Sequence, residues 1–181
     1  MVLPLDLAIS GNQKNVDWSI LHFEWLLLFS FKNMKAKGSI IINAPREKVA
    51  KYFADPQYLG EYQDTFIRKE HVSGSPGQNE AVSKMYYTQG KGEMEMIETI
   101  THNNLPNSFE AFYHHKHMDN TMKVTLTALS DNQTQYETEI EYTRIDWIMP
   151  RIFMTLFWGK FKKISEQWTI NFKNFVEEQE S

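Results

Sequence analysis

The stretch FMTLFWGKFKKISEQWTINFKNF, from Phe153 to Phe175, decides the fold. Phe153, Phe157, Phe161, Ile164, Trp168, Phe172 and Phe175 stay inside an arc of about 100° when successive residues turn by roughly 100°, while Lys160, Lys162, Lys163, Glu166 and Lys173 fall outside it. The pattern predicts one amphipathic helix after Pro150, of about 28 residues and about 42 Å at ~1.5 Å per residue. So long and aromatic a face needs a broad apolar surface beneath it.

The preceding residues supply that surface. From Thr65 to Ile145, runs of alternating polar and apolar residues are separated by turn-forming groups at 73–77, 90–92, 103–107, Asp119-Asn120 and Asp131-Asn132, which predicts a six-stranded antiparallel meander. Phe109, Ala111, Tyr113, His115 and His117 share one face of a strand, and Tyr136, Thr138, Ile140 and Tyr142 share one face of another. The opposite faces carry mostly charged side chains, so one side of the sheet meets water and the other is covered.

Upstream, Gly38 to Asn43 is a β-branched strand, and Pro45 suits the first turn of a helix. Val49, Tyr52 and Phe53 form an apolar stripe, Asp55-Pro56 breaks it, and Tyr58, Leu59 and Tyr62 predict a second short helical piece. Residues 1–33 are expected to be an N-terminal extension outside the fold, with Met34 as the natural start of the domain. The rival reading takes Trp18, Leu21, Trp25 and Leu28, which recur at helical spacing in 18–31, as an amphipathic helix on a membrane or on the domain. His22, Glu24 and the shortness of the apolar run argue against a spanning helix, and Lys32-Asn33-Met34-Lys35 against a signal peptide.

Composition narrows the function classes. The 181 residues are 41% hydrophobic, 23% charged and 14% aromatic, which fits a globular domain able to bury a core. The net charge of −4 and scattered Lys and Arg leave no basic face for nucleic acid. With no cysteine there are no disulfides and no thiolate ligands or nucleophiles, and the cytoplasm is the expected location. Asn132-Gln133-Thr134 reads as a hairpin turn rather than a glycosylation site.

The order strand, two short helices, six-stranded meander and long C-terminal helix, opened by Ile-Ile-Ile-Asn-Ala-Pro-Arg-Glu-Lys-Val-Ala-Lys-Tyr-Phe-Ala-Asp-Pro at 40–56, resembles the START-like (SRPBCC, Bet v 1-like) superfamily. The resemblance covers about 34–178 and is strongest to small bacterial proteins of the polyketide cyclase/dehydrase and lipid-transport type. It implies an α+β helix-grip fold, a curved antiparallel sheet of about seven strands wrapped around the C-terminal helix. Where relatives often carry Trp after the second helix this chain has Tyr62, a change that bears on packing.

A sheet curled around one helix encloses an apolar site, and the expected wall is Met85, Tyr87, Met94, Met96, Tyr113, His115, Met122, Tyr142, Met154, Phe157 and Phe161, whose thioethers and aromatic rings adapt to varied shapes. The same residues in a solid core are the competing reading. His115, Tyr113, Tyr142 and Glu98 are the candidates for proton transfer. His115 and His117 lack a third ligand at fixed spacing, so neither metal nor cofactor is expected. Glu98, in phase with Met94 and Met96, falls on the covered face and needs a partner, for which Arg144, in phase with Tyr142, is the candidate. A bulge near Met96 and Ile97 would instead turn Glu98 to water. The leading expectation is a non-catalytic binder or carrier of a lipid, isoprenoid or polyketide-like molecule. The alternative is a cyclase or dehydratase, a lyase or isomerase using the same cavity, and the second alternative is a membrane-associated interaction or chaperone module.

Overall fold

A computed structural model describes residues 34–146 and 148–180, excluding the side chains of 148–157 and 161. Both readings of residues 1–33, including the 18–31 segment, therefore lie outside the described residues.

Strand β1 (Lys35–Ile42) leads through Asn43-Ala44-Pro45 into helix α1 (Arg46–Ala54). The Pro45 carbonyl accepts from the amides of Lys48 and Val49, so the ring that cannot donate sits where no donor is required. Asp55 ends α1 and caps the next 3-10 turn (Pro56–Tyr58) by accepting from the Gln57 amide at 3.1 Å, and that turn runs into α2 (Leu59–Tyr62). The meander follows as β2 (Phe66–Ser73), β3 (Val82–Gln89), β4 (Gly92–Asn104), β5 (Ser108–His115), β6 (Met118–Ser130) and β7 (Gln133–Ile145), and α3 (Ile148–Gln179) closes the chain. The seven strands lie in the order β1-β7-β6-β5-β4-β3-β2, every pair antiparallel.

Helix α3 has 32 residues, about 48 Å at ~1.5 Å per residue, longer than its apolar pattern predicts. Phe172 and Val176 are fully buried against Ile42, Val49 and Val124. Phe172 meets the rings of Tyr62 at 4.8 Å and Tyr136 at 5.0 Å, and Phe175 meets Tyr52 at 5.6 Å and Tyr58 at 5.2 Å, which ties α3 to both short helices. Gly38 lies where α3 passes over β1: a Cβ there would lie 2.8 Å from Thr138 Oγ1 and 3.3 Å from Thr169 Oγ1. Ile164 departs from the predicted arc and is 48% exposed.

Asp119-Asn120 is not a turn. The chain reverses at Lys116-His117, and Asp119 and Asn120 lie within β6. Asp119 is held on the outer face by Arg144, whose Nε and Nη2 donate to its two carboxylate oxygens at 2.6 and 2.9 Å, and by His114 Nδ1 at 2.7 Å. Asn120 is buried on the inner face, opposite Tyr113 and Tyr142. Tertiary pairing overrides the turn preference of Asp and Asn. His117 accordingly lies in the turn and does not share a strand face with His115, although the two rings approach to 5.6 Å.

Candidate functional site

The strands β3, β4, β5, β6 and β7 bring Ser83, Glu98, Tyr113, Asn120 and Tyr142 into one row, each directly opposite the next. The row crosses the covered face, and its first four members are buried. Pairing between β3 and β4 runs without a shift from Val82↔Thr99 to Gln89↔Gly92, so no bulge turns Glu98 outward, and it is only 3% exposed. The bulge in β4 comes later, between Ile100 and His102.

A buried carboxylate needs partners, and Glu98 has two. Tyr113 donates its hydroxyl to Oε1 at 2.9 Å, and the Lys69 ammonium forms an ion pair with Oε2. The expected partner Arg144 is elsewhere, because a register shift places Asp119 opposite Arg144 and Asn120 opposite Tyr142, and so takes Arg144 out of phase with Tyr142. Arg144 also pairs with Asp146. Lys69 owes its position to another irregularity. The shift between Phe66 and Arg68 sets Phe66 opposite Tyr87 and Lys69 opposite Met85, so two inward-facing residues are three apart. Arg68 stays on the outer face, its guanidinium 3.7 Å over the Tyr86 ring.

The Tyr113 hydroxyl touches this pair, and the charge of Glu98 also reaches Tyr87 and Tyr62. Burial, then the charge of Glu98, holds the Tyr113 hydroxyl well above the ordinary tyrosine range, so it remains a donor. Tyr87 is raised for the same two reasons; its hydroxyl donates to Gln63 at 3.0 Å and its ring stacks on Trp168 at 6.2 Å. Tyr62 is 4% exposed, and its buried hydroxyl has no hydrogen-bond partner among the described residues. Burial chiefly, and also Tyr136, Tyr87 and Glu98 nearby, raise its pKa well above 10. No site role falls to Tyr62 or Lys69 in the sequence reading; the visible signal was a hydroxyl on the apolar stripe of α2 and a lysine inside a strand.

Of the remaining expected wall residues, Met85 is fully buried, whereas Met94, Met96 and Met122 are half-buried and packed against the main core. Tyr142 is half-buried in a separate cluster with Met34, Met118, Ile145 and Trp158, edge-on to Trp158 at 5.8 Å. His115 ends β5, half-buried; burial first, then the charges of His117, Lys116, His114 and Arg144, lowers its pKa below 6.5 and keeps the ring neutral at pH 7. Met94 and His115 also line a cleft of about 380 Å³, whose other walls, Gln89, Glu93, Glu95, Ile97, His114 and Lys116, belong mostly to the outer face of the sheet. The side chains of Met154, Phe157 and Phe161 lie outside the described residues. Among the described residues, no group of three or more acidic or histidine side chains is arranged to hold a metal ion, and no helix is long and apolar enough to cross a membrane.

No protein-family model matches the sequence, and no curated protein matches it. Solved structures do match. A crystal structure from Thermus thermophilus aligns with a TM-score of 0.66 at 15% identity, covering 81% of this chain and 99% of its own. An aromatase/cyclase from Streptomyces sp. R1128 aligns at 0.69 and 9% identity, covering 81% and 95%. A START superfamily protein from Mycobacterium smegmatis aligns at 0.62 and 8% identity, covering 80% and 98%. With a seven-stranded antiparallel sheet spanned by a long C-terminal helix and matched in these structures, the chain has the START-like helix-grip fold.

Proposed function

We propose that the protein binds a hydrophobic small molecule of lipid, isoprenoid or polyketide-like character between the inner face of the sheet and α3. The observation that carries this reading is the grading of the inner face. Met85, Tyr87 and Tyr113 are buried, their neighbours Met94, Met96 and Met122 are half-buried, and a charged pair with the Tyr113 hydroxyl borders them. A few fixed polar groups beside adaptable apolar side chains are what small-molecule sites contain. Native mass spectrometry with organic extraction tests the reading. A defined small molecule released on denaturation supports it, and a chain that carries none and takes up no apolar probe overturns it.

One observation favours a second reading, a cyclase or dehydratase using the same site. A neutral imidazole at His115 is able to accept a proton next to the half-buried methionines. Turnover that survives His115→Ala would remove this residue from any such chemistry.

A further inference from the structure

We infer that the Lys69–Glu98–Tyr113 cluster together with the Tyr62 hydroxyl forms the polar end of the binding site, and that it selects a ligand carrying a neutral oxygen acceptor, a ketone or ester carbonyl, over a carboxylic acid. This inference rests on the binding reading above.

Hydrogen-bonding capacity in the cluster divides into what is spent and what is free. Both carboxylate oxygens of Glu98 are engaged, one by Tyr113 and one by Lys69. An ammonium group has three N–H donors, and Lys69, with its side chain 18% exposed, makes its one hydrogen bond among the described residues to Glu98. The Tyr62 hydroxyl is wholly free among the described residues, though buried polar groups are nearly always paired. The Lys69 ammonium can only donate and the Tyr62 hydroxyl has a proton to give, so the cluster holds unspent donors that a ligand acceptor would satisfy.

Charge decides which acceptor. Lys69 and Glu98 neutralise each other, so a ligand carboxylate would add an uncompensated negative charge beside a buried carboxylate. A carbonyl accepts the same hydrogen bonds without that penalty. Tyr62, the last residue of α2, also marks the end of the site nearest the short helices, and its ring packs on Phe172 of α3 at 4.8 Å. The apolar body of the ligand then extends toward Met96 and Met122.

Three naphthalenes of nearly equal shape test this on the full chain after organic extraction: 2-acetylnaphthalene, 2-isopropylnaphthalene and 2-naphthoate, titrated calorimetrically at pH 7. The wild-type protein is expected to bind the ketone at least about tenfold more tightly than the carboxylate, because one uncompensated charge outweighs one hydrogen bond. Tyr62→Phe removes only an unpartnered hydroxyl, and should lower the ketone-to-hydrocarbon affinity ratio by about five- to tenfold, the equivalent of one hydrogen bond. Glu98→Gln keeps an acceptor for Tyr113 but leaves Lys69 without its counter-charge, so the preference should swing toward 2-naphthoate by at least about tenfold. An unchanged ratio in both variants, with the hydrocarbon still bound, overturns the inference and leaves the binding reading standing. Failure of all three probes, 2-isopropylnaphthalene included, overturns the binding reading itself.

Discussion

Replacing Lys69 with methionine isolates the energetic role of the buried ion pair. Methionine keeps an unbranched stem of similar length against Met85 but removes the ammonium. Glu98, 3% exposed, would then hold a carboxylate with one oxygen still accepting from Tyr113 and the other without its cation. Removing one partner of a buried pair costs about 3–5 kcal/mol. The Tyr113 hydrogen bond survives and Lys69 retains partial access to water, which places this case near the lower end, about 3 kcal/mol. With an m-value of about 2 kcal/mol/M, the urea midpoint falls by about 1.5 M. Tryptophan fluorescence reports the transition directly, since Trp168 stacks on Tyr87 in the same region. The double variant with Glu98→Gln no longer buries a charge and is expected to recover about 2 kcal/mol, a coupling that two independent sites would not show. Equal midpoints for wild type, single and double variants would refute the reasoning and make the pair a solvated one.

Asp119→Asn should cost about 1–2 kcal/mol at pH 7, because the carboxylate that accepts from Arg144 at both oxygens is replaced by a neutral amide with one acceptor. The Arg144 hydrogen bond holds the Asp119 pKa below its ordinary 3.8, so its contribution is full above that pH and is lost as pH falls through the folded value; acid unfolding curves of wild type and variant should converge there. Gly38→Ala places a methyl 2.8 Å from Thr138 Oγ1 and is expected to lower stability by about 1–3 kcal/mol, read from the same urea titration. The His115 ring should titrate below 6.5 in a proton NMR series, and a midpoint at or above 6.5 would show that burial does not govern it.

The architecture was legible because α3 and the meander obey different periodicities, and β4 carried its alternation far enough to place Glu98 on the covered face. The partners of Glu98 were not legible. Lys69 turns inward only because β2 slips against β3 between Phe66 and Arg68, and Arg144 leaves the inner phase only because β7 slips against β6 between Asp119 and Asn120. Each slip shifts the inward phase by one residue and reverses which face a charge occupies. Neither strand's composition announces it. The Asp119-Asn120 pair misleads for a related reason, since its turn preference is local while the pairing with Arg144 and His114 is not. Tyr62 read as packing, and its ring does pack; only the absence of a partner for its hydroxyl among the described residues distinguishes it.

The lateral order of the sheet bears on how the protein is made. Among the described residues β1 pairs only with β7, from Lys35↔Glu141 to Ile42↔Thr134, so the first strand of this sheet to leave the ribosome waits for the last before it gains a neighbour. The strands from β3 to β7 each pair with the strand just synthesised and can zip up in sequence. Until β7 arrives, the nascent chain carries a sticky, β-branched Ser39-Ile-Ile-Ile42 segment with no ladder to join, the kind of exposed edge on which chains aggregate. Premature termination anywhere in the meander would therefore strand the opposite end of the molecule, and completing β7 is the step that closes the sheet.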